Sequence, residues 1–511
     1  MRELDRREFL KTSALATAGG LFYAYGGVSE AEAQSDGHMG HMSPRTAKPE
    51  AVIIDPPPGG AYIEPPEMPL TRNGNELSCL IDTRMNDIDI AGTKVNLMTY
   101  NGHFPGQTIR AKRGDILKVH FKNNLPKSLG KNMLGHDRSE TNLHTHGWHV
   151  SPSGKADNIL LAFHTGEEHH YEYDLSHQAG GAMSYYHPHI HGTVADQVWN
   201  GLSGGALIVE DETPELSQYE THILMIKDIT LHNNQPAPYK FGDYHRGKKG
   251  HTIMVNGLVH PVMSAKPGQV IRLRVLNACQ ARFIHLSLDG HQLQLIGTDS
   301  GLLDKPYSVN RLLMSSGERV DLLVKVSDKP GAFKMYALPY GNMPQMVTLM
   351  TLDVKGTKVN DQLPAKITSW RAEEAIKLRN MDIRKLKKVE MYFSFIEGEG
   401  AMNFKVFDHE PYIHTSKVDT YELWVIKAEG AMDHPFHQHV NPGLVLSITG
   451  GDPDYARLYS TIPGLKDTIN VPPGGTVTML MPIRHYTGTT VFHCHILEHE
   501  DIGMVGIWKI E

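Results

Sequence analysis

Near the end of the chain stand His493-Cys494-His495-Ile496-Leu497-Glu498-His499, followed by Gly503-Met504. A thiol between two imidazoles, a third imidazole and a thioether answer no need of a core strand. They are the donor types that copper selects. Side chains alternate along an extended strand, so Cys494 points to one face and His493 and His495 to the other. Two metal sites would then sit back to back, joined by a covalent path from one thiolate to two imidazoles.

Three further clusters extend the pattern: His144-Thr145-His146-Gly147, His187-Pro188-His189 with His191 beyond it, and His434-Pro435-Phe436-His437-Gln438-His439. Each His-x-His spacing places two imidazoles on one strand face, about 7 Å apart along it. One such pair is common at a surface, whereas pairs repeated early and late around a well-placed cysteine form a metal pattern. Parity sorts the ligands. His437 and His439 share a face, and His434, three residues back, falls on the opposite one. His434, Cys494 and His499 therefore meet on one side, and Gly503 eases the turn that brings Met504 to an axial position. Two imidazoles, a thiolate and a weak thioether are the ligand set of a blue electron-transfer copper. His144, His146, His187, His189, His437, His439, His493 and His495 remain. They come from both ends of the chain, so the first and last domains must pack together.

The elements that hold these residues read as strands. With 511 residues, 40% hydrophobic and 21% charged, the chain is long for one core, and several domains are expected. Short β-rich runs such as 116–121, 270–276, 320–324 and 476–480 are separated by Gly, Pro, Asn and Asp. Three of them follow Gly-containing turns at Gly114, Gly268 and Gly474-Gly475, at intervals that suggest a repeated β-sandwich. The fold class expected is all-β, with domains at 67–212, 213–360 and 361–511. The stretch 370–387 has helix-forming composition and is expected at the crossing into the last domain.

The net charge of −7, about −6 without the first 33 residues, and the absence of a Lys/Arg run exclude a case for nucleic acid. The 31 histidines suit a metal protein. Cys79, Cys279 and Cys494 are too few for a disulfide framework, and Cys79 and Cys279 read as small buried residues. Arg6-Arg7 ahead of a weakly apolar stretch, with Ala31-Glu32-Ala33 after it, resembles a twin-arginine export signal over 1–33. That implies the twin-arginine export machinery as a partner, a periplasmic or secreted protein, and no membrane attachment after signal removal. Residues 34–66, with His38-Met39, His41-Met42 and several prolines, read as a flexible lead-in. Met343, Met346 and Met350 read as core. His169, His170, His177 and His245 read as ordinary surface residues.

The four motifs resemble those of the multicopper oxidases in their three-cupredoxin-domain form, with Greek-key sandwiches, and the resemblance covers nearly the whole mature chain. It implies four coppers per monomer: a type 1 site at His434, Cys494, His499 and Met504, a type 2 site at His144 and His437, and a type 3 pair at His146, His187, His189, His439, His493 and His495. It also implies proton-donating acids, matched by Glu500 and, with a spacing that differs by two residues, by Asp157. His191 is then a supporting or structural residue. The tail is similar to bacterial cuprous oxidases and to bacterial laccases. The activity implied is one-electron oxidation of phenolic or aromatic donors, or of Cu(I), coupled to four-electron reduction of dioxygen to water. The Met-rich insertion of copper-efflux oxidases is not apparent, which makes a dedicated cuprous oxidase role less secure. An open type 1 site favours larger organic donors. Glu429 and Asp433, near the third motif, read as a solvated loop more readily than as a cation-attracting pair. The competing readings are a copper nitrite reductase, a copper-free cell-division member of the same family, and a copper-binding resistance or sequestration protein without oxidase turnover. The ligand set and the Cys494 link argue against each.

Overall fold

The structure, a computed structural model, describes residues 53–511 apart from 182, 211, 212 and 241. The expected export signal and the His-Met segment lie outside the described residues. Strands make up 47% of the structure and helices 9%. Apart from a two-stranded ribbon of Leu231–His232 and Gln235–Pro236, the sheets form three pairs, which is the all-β architecture the sequence predicts. In the first sandwich, a five-stranded sheet built on Glu76–Ile90 and Ile116–Asn123 lies over a four-stranded one containing His144–His146 and Met183–His187. Leu77, Ile81, Phe121, Ile109 and Leu207 join the two faces in one core. The second and third sandwiches are each built the same way, from a sheet of six strands packed on one of six or five, and their cores run into one another.

The repeat is visible in register. Glu76–Ile90 runs parallel to Ile116–Asn123, Glu220–Ile229 to Val270–Asn277, and Lys387–Ile396 to Thr420–Ala428. The three strands that follow glycine turns do not, however, occupy one slot of this repeat. Ile116–Asn123 and Val270–Asn277 are equivalent, but Thr476–Ile483 pairs antiparallel with Thr420–Ala428, as Arg319–Lys325 does with Val270–Asn277. The glycine turn is a general solution for entering a strand, so it recurs at positions that are not homologous.

Ile116–Asn123 alternates buried and half-buried residues, as a strand with one covered face should. Val270–Asn277 is buried throughout. Part of the cover at this end of its sheet is the first sandwich: Met183, Tyr185, Ala206 and Ile208 pack on Ile223, Met225, Leu276 and Ala278. The predicted helix at 370–387 forms only over Trp370–Arg379, with the Ser369 side chain accepting from Ala372 N at its start. Lys387 already opens the next strand.

Residues 53–66 correct the expected flexible lead-in. Ile53–Ile54 pairs with Met346–Val354 as an added strand of the second sandwich. Farther along, Tyr62 N donates to Val262 O at 2.8 Å, Tyr62 Oη donates to Ile223 O at 2.7 Å, and Lys334 pairs with Asp55. Prolines that forbid helix leave this segment extended, and an extended segment beside a free sheet edge completes it. No helix among the described residues is long and apolar enough to cross a membrane.

Candidate metal centres

His144–His146 and Met183–His187 are neighbouring strands in the first sandwich, with His144 opposite His187. In the third, His434–Gln438 pairs with Gly488–Cys494, with His437 opposite His493 and Phe436 opposite Cys494. These two sheets meet face on. The His144 ring stacks on His439 at 4.0 Å between centroids, and the His146 ring on His437 at 3.8 Å. Asp501 helps hold the first and third parts together by accepting from Val194 N and Ala195 N at 3.1 and 2.8 Å. The eight histidines expected from both ends of the chain are therefore one buried cluster.

On the other side of the Gly488–Cys494 strand, Cys494 Sγ lies 3.4 Å from His434 Nδ1 and 3.6 Å from His499 Nδ1. Met504 is fully buried, and its backbone O accepts from Cys494 N at 3.1 Å, which places it beside the group. The parity argument thus holds in three dimensions, although His495 itself lies one residue beyond the strand end. His439 likewise lies one residue past His434–Gln438, and His189 two residues past Met183–His187.

Both clusters fit a metal by their unmet chemistry. Buried His144 Nε2, His187 Nε2, His437 Nε2, His146 Nδ1, His439 Nδ1 and His495 Nδ1 have no hydrogen-bond partner, and a native interior rarely leaves such atoms unsatisfied without a ligand. His493 Nε2 faces His189 Nε2 at 3.2 Å and His439 Nε2 at 3.3 Å. Burial pushes the imidazolium forms of His187, His189 and His493 down to about 3, so the rings are neutral and offer lone pairs that converge on one another. A metal cation placed among them would satisfy these lone pairs together. The ligand atoms of His144, His146 and His187, of His144, His189 and His439, and of His434, Cys494 and His499 lie within 4.8 Å of one another in each set. Burial raises the Cys494 thiol well above its usual range, and a bound metal is what would hold it as thiolate.

Acids hold the second nitrogen of several of these rings. Asp157 takes His144 Nδ1 at 2.9 Å while accepting from Thr145 N at 2.8 Å. Burial raises the Asp157 carboxyl to about 7. Glu500, also raised by burial, sits between His189 Nδ1 at 3.4 Å and His493 Nδ1 at 3.2 Å. Both predicted acids therefore touch the histidine cluster. His191 does not join it but pairs with Asp408 at 3.0 Å.

Several residues escaped the sequence reading. Asp467 O accepts from His437 Nδ1 at 2.8 Å, and the Asp467 carboxylate lies 3.5 Å from His146 Nε2. Arg319 clamps that carboxylate through both terminal nitrogens at 2.6 Å. Burial alone would raise Asp467, but Arg319 outweighs it and holds the acid well below the usual range. Lys466, Asp299 and Glu318 extend the same fully buried network. Gly147 makes room for it: its φ is 90°, and a Cβ there would run into the Arg319 guanidinium. The signal available was Lys466-Asp467, a charged pair inside the apolar run 462–471. Tyr185 Oη, 3.1 Å from His495 Nε2, had no such signal.

Two expectations about access are corrected. His434 and His499 are both fully buried, so the sulfur-containing site is not open. Phe395 covers it, 5.1 Å from the His499 ring and 6.1 Å from the His434 ring. His245, expected at the surface, is buried: its O accepts from His499 Nε2 at 3.1 Å, and its Nε2 reaches Gly398 O at 2.8 Å. Among its companions, His170 and His177 are exposed and His169 is half-buried. Asp433 is not a solvated loop residue either, since Tyr340 Oη and Asn470 Nδ2 donate to it at 3.0 and 2.7 Å. Of the methionine group only Met350 is core, while Met343 and Met346 are half-buried.

Three multicopper oxidase family profiles match residues 82–214, 220–357 and 377–511. The chain belongs to the multicopper oxidases. A multicopper oxidase of Staphylococcus aureus is 30% identical over 82% of this chain and 85% of its own length. A laccase of Bacillus subtilis is 28% identical over 80% of this chain and 89% of its own. A multicopper oxidase of Campylobacter jejuni, described as a metallo-oxidase, superposes with a TM-score of 0.75 at 27% identity, covering 91% of this chain and 98% of that one. Cupredoxin sandwiches and copper come with family membership, and so does oxidase activity.

Proposed function

We propose that this multicopper oxidase carries four coppers, divided as the residues divide: His434, Cys494, His499 and Met504 for a type 1 site, His144 and His437 for type 2, and His146, His187, His189, His439, His493 and His495 for the type 3 pair. Copper bound in these sets supplies one-electron acceptance at the first and four-electron reduction of dioxygen to water at the others. The observation that carries the reading is Cys494, whose Sγ faces His434 and His499 while its chain neighbours His493 and His495 belong to the eight-histidine cluster. Electrons leaving the thiolate then travel through a few covalent bonds. Glu500 orients His189 and His493 and is a buried acid that can hold a proton beside them. Asp157 fixes the tautomer and ring of His144, and its raised carboxyl can hold a proton beside that ring.

The donor enters over Phe395. His499 Nε2 is engaged by His245 O, whereas His434 Nε2 is buried without a partner beneath the phenylalanine. A lid of this kind favours small phenols or Cu(I) over bulky aromatics. We further propose boundaries at 212 and 360, export by the twin-arginine route on the strength of Arg6-Arg7, and a periplasmic or secreted location. The deciding experiment is oxygen uptake by the copper-loaded mature chain with a phenol and with Cu(I) as separate donors. Turnover of either supports an oxidase and ranks the donors. A blue protein absorbing at about 600 nm that consumes no oxygen with either would leave copper sequestration.

A further inference from the structure

Away from both clusters, a cavity of about 230 Å³ opens along the seam between the first and third sandwiches. Its floor includes Arg371, which is 7% exposed, and His149, which is 6% exposed. Arg484 comes from the end of the third sandwich and Arg113 from the turn before Ile116–Asn123. One carboxylate answers these three guanidinium groups: Glu374 takes Arg371 Nη1 at 2.6 Å and also pairs with Arg484. His149, His177 and His485 close the remaining side. His149 Nδ1 donates to Val440 O at 2.7 Å, its Nε2 meets His485 Nδ1 at 2.8 Å, and the His177 ring stacks on His485 at 3.8 Å.

The charge balance of this cavity is uneven. Arg371 spends Nε on Ser300 O at 3.1 Å and Nη1 on Glu374, and its guanidinium carbon rests 4.5 Å from the centre of the Trp370 ring. Arg113 lies on the same ring at 4.9 Å. Two cationic planes thus share one indole without a carboxylate between them. Burial together with Arg113 lowers Arg371 to about 10, and burial together with Arg371 lowers Arg484 to about 10, the direction expected where positive charge is in excess. A metal ion is disfavoured in such a field. A planar fork of donors with unspent hydrogens is what an oxyanion requires.

We propose that this cavity binds a doubly charged tetrahedral oxyanion, inorganic phosphate or sulfate, between Arg113, Arg371 and Arg484, with the three histidine rings lining its mouth. The anion would offset the positive charge that Glu374 alone leaves unbalanced and brace the seam. Asn441, which lines the cavity, has its N bonded to His439 O at 2.7 Å, so the bracing reaches the histidine cluster through two residues.

The test is calorimetric titration of the copper-loaded protein at neutral pH with phosphate, with sulfate and with acetate, on the natural chain and on Arg113→Gln and Arg484→Gln. The expected result is saturable binding of phosphate or sulfate at one equivalent per chain, at least about tenfold weaker in each variant, with the blue absorption of the copper unchanged. Which of the two anions binds more tightly identifies the source. Binding that both variants retain in full would place the anion elsewhere, at the copper, and overturn the proposal. So would no binding of either divalent anion, or acetate binding equally well. Arg113 is exposed, so its replacement keeps the test informative even where Arg484→Gln fails to fold.

Discussion

Asp467 shows what a single buried charge does here. Its carboxylate neutralises Arg319 inside the protein while its carbonyl holds His437. Asp467→Ala would leave Arg319 with Asp299 at 3.7 Å as its remaining acid. The expected cost is about 3 kcal/mol of stability, since an uncompensated buried charge is far more costly than a lost surface pair. Denaturant unfolding of the copper-free protein measures it, and copper content after reconstitution should fall in parallel. At the same scale, Cys494→Ser removes the thiolate but leaves the histidines on either face. The expected variant folds, lacks the band at about 600 nm, and consumes oxygen at a small fraction of the natural rate. A variant that kept full turnover would sink the through-bond reading.

At the scale of elements, two strands decide access and acid stability. Phe395, next to last in the strand Lys387–Ile396, lids the sulfur-containing site. Phe395→Ala should uncover His434 and lower KM for a bulky phenol several-fold, with little change for Cu(I), in steady-state oxygen uptake. Glu422, on Thr420–Ala428, accepts from His414 Nε2, Ser416 Oγ and Trp424 Nε1 at 2.7, 2.9 and 2.9 Å. Burial pushes its carboxyl up, but these bonds outweigh burial and hold it at about 2. A carboxyl whose folded value lies below its unfolded value near 4.5 lends stability above that value, and loses it as pH falls toward 2. The contribution is on the order of 1–2 kcal/mol after solvent screening. Glu422→Gln should therefore flatten the acid limb of a stability–pH profile between about 4.5 and 2, leaving the neutral limb parallel to that of the natural protein.

For the whole molecule, the seams matter more than any one sandwich. The cluster of eight histidines exists only because the first and third sandwiches touch, and the cores of the second and third are continuous. The strap at 53–66 adds to this by binding the edge of the second sandwich. Tyr62→Phe removes the bond to Ile223 O and should cost about 1 kcal/mol, whereas deleting 53–66 should cost several times that, read by thermal unfolding. The deletion should leave the blue absorption intact in the folded fraction, because the strap touches neither cluster.

Much of the site was legible in the chain because its logic is local. Period-two alternation decides that Cys494 and His493 face opposite ways, and the same parity separates His434 from His437 and His439, whatever fold surrounds them. Gly-led strands announced sandwiches, though not which strand was equivalent to which, because a turn signal carries no register. The rest depended on distance along the chain. Arg319 and Asp467 are 148 residues apart and His146 and Thr468 are 322 apart, yet they touch, and no spacing rule links such pairs. Nor could exposure be read for His434, His499 or His245, since a strand or short helix from elsewhere lies over each. Composition and periodicity determined the donors and the faces they occupy. Tertiary packing decided which buried charge holds each ring, which site is lidded, and where three arginines converge with one carboxylate, because burial and charge balance are properties of neighbours in space.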